Sequence, residues 1–84
     1  MIHYTVVWPK GAQDELAEVW MSTADRGAVT RAVRWVDQVL GEDAPGKGIE
    51  VHEGLRALLV PPLRILFAVR ELDRIVEVLC VRRL

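Results

Sequence analysis

The chain is short of most residues that carry chemistry by themselves. Its single cysteine, Cys80, excludes an internal disulfide, and its place within an apolar run reads as a small packing residue rather than a nucleophile. The two histidines, His3 and His52, have no ligand spacing between them, so no metal site is expected. His52, after Glu50 and before Glu53, reads as a loop residue, and His3 as a strand-edge residue. No apolar run approaches the ~18 residues of a membrane span. Charge of one sign is not in excess either, with 11 Lys and Arg against 12 Asp and Glu, which lacks the basic footprint of a general nucleic-acid binder. Met1-Ile2-His3-Tyr4 has neither a basic n-region nor an apolar h-region, so a cytoplasmic protein is expected.

What is present is a core. With 51% apolar and 27% charged residues the chain is far from disordered composition. At 84 residues it has room for one domain, residues 1–84, burying about 60–65% of its unfolded surface. The charge is uneven along the chain. Residues 1–42 hold four basic and six acidic side chains, and residues 43–84 hold seven basic and six acidic, all but one of the seven being arginine. Arginine is a permanently charged fork that suits phosphate or carboxylate, so a local anion site is compatible with a neutral total.

In chain order, Tyr4-Thr5-Val6-Val7-Trp8 is β-branched and aromatic and ends at Pro9-Lys10-Gly11, which predicts a strand. From Ala12 the period becomes helical, with Leu16, Val19, Trp20 and Thr23 on one side and Asp14, Glu15 and Glu18 toward water. Asp25 or Ser22 can cap a second helix over about Gly27–Leu40. That helix has two adjoining apolar rows, Val29, Val33, Val36, Leu40 beside Ala28, Ala32, Trp35, Val39, as expected of a helix pressed on a sheet and a neighbour. Trp8, Trp20 and Trp35 are expected in the core rather than as base-stacking platforms. Gly41 to Gly48 is turn-forming, and an irregular segment is expected through Ile49 to Gly54.

The remainder, Leu55 to Leu84, reads as three apolar strands broken by Pro61-Pro62 and by Glu71 to Arg74. In the middle strand Leu63, Ile65, Phe67 and Val69 should lie against the helices, leaving Arg64, Leu66, Ala68 and Arg70 on the opposite, open face. A two-residue turn at Leu72-Asp73 sets Arg70 against Ile75, Ala68 against Glu77, Leu66 against Leu79 and Arg64 against Val81. Glu77 is then diagonal to Arg70, while the neighbours of Arg64 are apolar. Neither proline can donate to a ladder, so parity across them is open. Arg56 joins Arg64 on the open face if a bulge restores the phase, and otherwise points to the helices. Arg82 and Arg83 point to opposite sides. A face carrying Leu66, Ala68, Ile75, Leu79 and Val81 is apolar enough to require a cover, such as a partner, a second copy or a longer loop.

The order strand, helix, helix, three strands resembles the RelE/ParE superfamily of type II toxin–antitoxin toxins. The likeness is carried by Tyr4-Thr5-Val6-Val7-Trp8, Asp14-Glu15-Leu16, Trp20, Gly54-Leu55-Arg56, Pro62-Leu63-Arg64-Ile65-Leu66-Phe67, Val69, Asp73-Arg74-Ile75-Val76 and Val78. It implies a small α+β fold, β-α-α-β-β-β, with a mostly antiparallel sheet and two helices on one face. It also implies a cognate antitoxin, and a plasmid-stabilisation-type toxin that cleaves mRNA on the ribosome (RelE type) or inhibits DNA gyrase (ParE type). Arg64 matches the RelE-type arginine that stabilises the phosphate, the catalytic candidate. Arg56, Arg70, Arg82 and Arg83 are the RNA- or partner-binding candidates.

Such an endoribonuclease needs no metal or cofactor, only an attacking 2′-hydroxyl, cations around the phosphate and a proton-transfer group. RelE-type toxins place a Tyr or His for that purpose beyond the last strand. This chain ends at Leu84 with no Tyr or His after His52, and Leu58 and Val60 stand where a second strand-two cation is expected. The nuclease, the gyrase inhibitor and a non-enzymatic module that binds an antitoxin, or itself through the open face, all remain open.

Overall fold

The computed structural model describes residues 3–84. Met1 and Ile2, part of the stretch read for an export signal, lie outside the described residues. The elements are β1 (Thr5–Val7), α1 (Lys10–Ser22), α2 (Arg26–Asp43), a 3-10 turn (Ala44–Gly46), β2 (Ile49–His52), β3 (Leu55–Val60), β4 (Leu63–Arg70) and β5 (Ile75–Arg83). One sheet runs β1-β5-β4-β3-β2. Among the described residues only the β1–β5 pair is parallel, because α1 and α2 form the crossover that carries the chain to the far side of the sheet. The α+β arrangement with both helices on one face is the expected one. It gains one strand.

That strand is β2, where an irregular segment was expected. Gly48 makes it possible. Its φ is +72°, and a Cβ there would run into the Ala57 carbonyl, so only glycine lets the chain turn close enough to pair Ile49 with Ala57. His3 precedes β1 and is exposed, and His52 closes β2 rather than lying in a loop.

The helices are set by their ends. Pro9 precedes α1, and the Gln13 amide donates to the Trp8 carbonyl at 2.7 Å. The Asp25 carboxylate caps α2 by accepting from the Ala28 N–H at 3.0 Å. From α2, Val29, Ala32, Val36 and Leu40 enter one core with Ala12 and Val19 of α1 and Leu58, Val60, Leu63, Ile65, Phe67, Val76, Val78 and Val81 of the sheet. Phe67, Leu63, Ile65 and Leu40 are wholly enclosed, each contributing about 1.5–3 kcal/mol of burial.

The tryptophans depart from expectation. Trp8 packs at the core margin with its indole N–H donated to Asp37 at 2.7 Å, but Trp35 is half exposed and Trp20 lies partly open under the Arg26 guanidinium. Trp20 sits between the two helices, and Trp35 borders a hollow with Leu59 and Pro61 at the end of β3. Two connections shape the sheet. A Val60-Pro61-Pro62-Leu63 turn with a cis Pro61–Pro62 bond joins β3 directly to β4, Val60 pairing with Leu63. Glu71 to Arg74 turns β4 into β5, Arg70 facing Ile75 as expected.

Candidate functional site

Among the described residues no helix covers the sheet face opposite the core, and side-chain parity decides what that face presents. From the Glu71–Arg74 turn the β4–β5 register runs as the alternation predicts through Ala68↔Glu77 and Phe67↔Val78. A β-bulge then shifts it, so that Leu66 faces Cys80, Ile65 faces Val81 and Arg64 faces Arg82. The extra residue is Leu79. The cause is visible in the spacing of the core valines. Val76 and Val78 are two apart and Val81 is three further on, so burying all three on one face requires one unpaired residue between them.

The bulge overturns two expectations. Val81 is in the core and not on the open face, and Arg64 faces a second arginine and not an apolar residue. On its other side Arg64 faces Leu59, which is 59% exposed. With Leu66, Ala68, Leu79 and Cys80 these form an aliphatic surface around the cation. Cys80, half-buried on this face, is therefore not a core residue.

Two like charges directly opposite on neighbouring strands repel. The compensation comes from α1. Glu15 Oε1 accepts the Val81 N–H at 2.9 Å, at the edge of β5 that β1 is too short to pair, and Glu15 Oε2 accepts from Arg82 Nη1 in an ion pair. The bond from Arg82, then that from the Val81 N–H, hold the Glu15 carboxyl below the usual glutamate range, against the opposing effect of partial burial. Glu15 was expected to face water. It lies three residues after Ala12 and four before Val19, the two buried positions of α1, and that i, i+3, i+7 row is the signal that places it against the sheet.

Arg64 itself, half-buried, takes part in no ion pair among the described residues.

No protein-family model matches the sequence, and no curated protein matches it. Solved structures do. The chain superposes over 100% of its length, and over 94% of the other chain, on a chain of the RelBE2 toxin–antitoxin complex of Mycobacterium tuberculosis, with TM-score 0.78 at 17% identity. It superposes over 98% of its length, and 97% of the other, on a chain of the chromosomal ParDE toxin–antitoxin system of P. aeruginosa, with TM-score 0.70 at 22% identity. The fold is RelE/ParE-like.

Within this RelE/ParE-like frame the five arginines separate. Arg64 and Arg82 are neighbours. Arg56 faces Phe67 in the ladder and so lies on the helix side, where Nε donates to the Lys47 carbonyl at 2.8 Å and Nη2 to the Gly48 carbonyl at 3.0 Å. That clasp closes the turn into β2 and keeps Arg56 off the open face. Arg83 reaches back to the end of α1, its Nη1 3.5 Å from the Ser22 carbonyl, and with Arg82, Glu15 and Glu18 borders a polar hollow. Arg70 stands at the opposite end of β4, its guanidinium 3.6 Å from Glu77, the expected exposed pair. Tyr4 is also at that end, its hydroxyl donating to Glu71 at 2.9 Å. Burial first, then the Glu71 carboxylate, push its pKa up.

Among the described residues no group of three or more His, Cys, Asp or Glu is placed to hold a metal, and no helix is long and apolar enough to cross a membrane.

Proposed function

We propose that the protein is the toxin of a type II toxin–antitoxin pair, that the open sheet face is its working surface, and that Arg64 is the contact for an anionic group of the target. The observation that carries this is an unpaired arginine amid an uncovered aliphatic face, on a RelE/ParE-like fold. Charge without a partner beside exposed Leu59 and Leu79 suits a surface made to be occupied. A cognate antitoxin covers it at rest. A second copy of the chain is the competing occupant, and the mass of the protein in solution separates the two.

The register favours a phosphate as the anion. Arg64 and Arg82 stand on facing residues, about 4.5–5.5 Å apart at Cα in an antiparallel pair, so two forks can reach oxygens of one phosphodiester once Arg82 leaves Glu15. This supports RelE-type mRNA cleavage, with Arg64 balancing charge that develops on the phosphate as the 2′-oxygen attacks. A second reading, gyrase inhibition or a purely binding role, is favoured by Glu15. The carboxylate nearest this pair is held ionised and hydrogen-bonded, which makes it a weak base at neutral pH.

Induced expression in a bacterial host, with soluble protein confirmed, tests the toxin reading. Growth arrest with mRNA cleavage, both lost in Arg64→Ala, supports the nuclease. Arrest without cleavage supports the binding role. Normal growth refutes the toxin reading.

A further inference from the structure

Arg82, on the residue facing Arg64, is better placed than Arg83 to join it, yet its guanidinium is paired with Glu15 on α1. The side chain remains 58% exposed, and its carboxylate partner 28% exposed, so the pair lies at the surface, where exchange of one anion for another costs little. Glu15 is tethered independently through the Val81 N–H, and its position does not depend on Arg82. A fixed carboxylate therefore competes with any phosphate on the open face for the same guanidinium.

We infer that Glu15 is an internal competitor that withholds Arg82 from a phosphodiester bound at Arg64, and so sets the affinity of the open face for RNA. The inference rests on the phosphate reading of that face. Glu15 touches no ligand in this scheme. It acts through Arg82, as a positioning residue. With the carboxylate in place the face offers one free cation, and with the charge removed it offers two.

Glu15→Gln is the natural test, because the amide oxygen can still accept the Val81 N–H while the carboxylate charge no longer holds Arg82, leaving its Nη1 only the neutral Val81 carbonyl at 3.0 Å. The probe is a fluorescently labelled 10-nucleotide single-stranded RNA titrated with the full chain, with the fold of each variant checked by amide NMR. Glu15→Gln is expected to bind roughly two- to fivefold tighter than the wild type. The salt dependence should steepen by about 0.7 in the log–log slope, the increment for one further phosphate contact on a single strand. Adding Arg82→Ala should return both quantities to wild-type values. A merely structural Glu15 would give weaker binding or none of the slope change.

The outcomes separate the two claims. Wild-type binding that Arg64→Ala abolishes, with Glu15→Gln no tighter and no steeper in salt, overturns the competitor role and leaves the phosphate reading standing. Binding by neither wild type nor Glu15→Gln overturns the phosphate reading and the competitor role with it. Should Glu15→Gln lose its fold, Arg82→Ala in the wild-type background serves instead. A chain whose Arg82 is withheld loses at most about twofold on that change, and a loss of tenfold or more contradicts the proposal.

Discussion

Arg64 and Arg82 face each other across β4 and β5, and only Arg82 has a carboxylate partner. Two like charges at a facing position oppose folding, so removing the unpaired one should not weaken the protein. Arg64→Ala is expected to change stability by no more than about 0.5 kcal/mol in either direction, measured by urea unfolding. A loss of 2 kcal/mol or more would mean that Arg64 is structural.

Glu15 gives the fold a pH dependence of known sign. Its folded pKa lies below the ordinary 4.5, so the stabilisation is fully present above that value and is lost as pH falls through the lower, folded value. Unfolding midpoints measured from pH 6 downward should therefore fall more steeply for the wild type than for Glu15→Gln, with the divergence below about pH 4.5. Parallel curves would contradict the assignment.

Arg56 belongs to the scaffold. Its two bonds to the Lys47 and Gly48 carbonyls hold the turn into β2, and Arg56→Ala should cost about 1.5–3 kcal/mol per the usual strength of charged hydrogen bonds. Amide exchange should quicken first in residues 47–52. Unchanged stability with a loss of ligand binding would return Arg56 to the functional face.

Gly48→Ala combines a left-handed backbone with a clash at the Ala57 carbonyl. It should destabilise by at least about 1–3 kcal/mol. Gly54, also at positive φ but with open space around its Cβ position, should cost less on the same change. Equal losses at the two sites, read from thermal unfolding, would show that backbone conformation alone matters.

Much of this was legible in the chain. The alternation Leu63-Arg64-Ile65-Leu66-Phe67 fixes which side of β4 is buried, and the spacing of Val29, Val36 and Leu40 does the same for α2. Four features were not legible in the pattern. β2 escaped because its exposed Ile49-Glu50-Val51-His52 has no buried face to show a period, and Gly48, not hydrophobicity, creates it. The bulge at Leu79 follows only from the requirement that Val76, Val78 and Val81 all be buried, and without it Val81 falls opposite Arg64. The separation of Arg56 from Arg64 depended on the Pro61-Pro62 turn. That turn occupies two residues and keeps Val60 facing Leu63, which leaves Arg56 and Arg64 on opposite faces. Glu15 was misplaced because acidic residues early in a helix are ordinarily solvated. Its buried-side spacing was the better guide.

The open face carrying Arg64 is the proposed working surface. The direct measurement is bacterial growth after induction of wild type and of Arg64→Ala at matched soluble levels. Arrest by the wild type and growth with the variant is the predicted result. Growth of both strains at the rate of uninduced cells, or arrest of both, would contradict it.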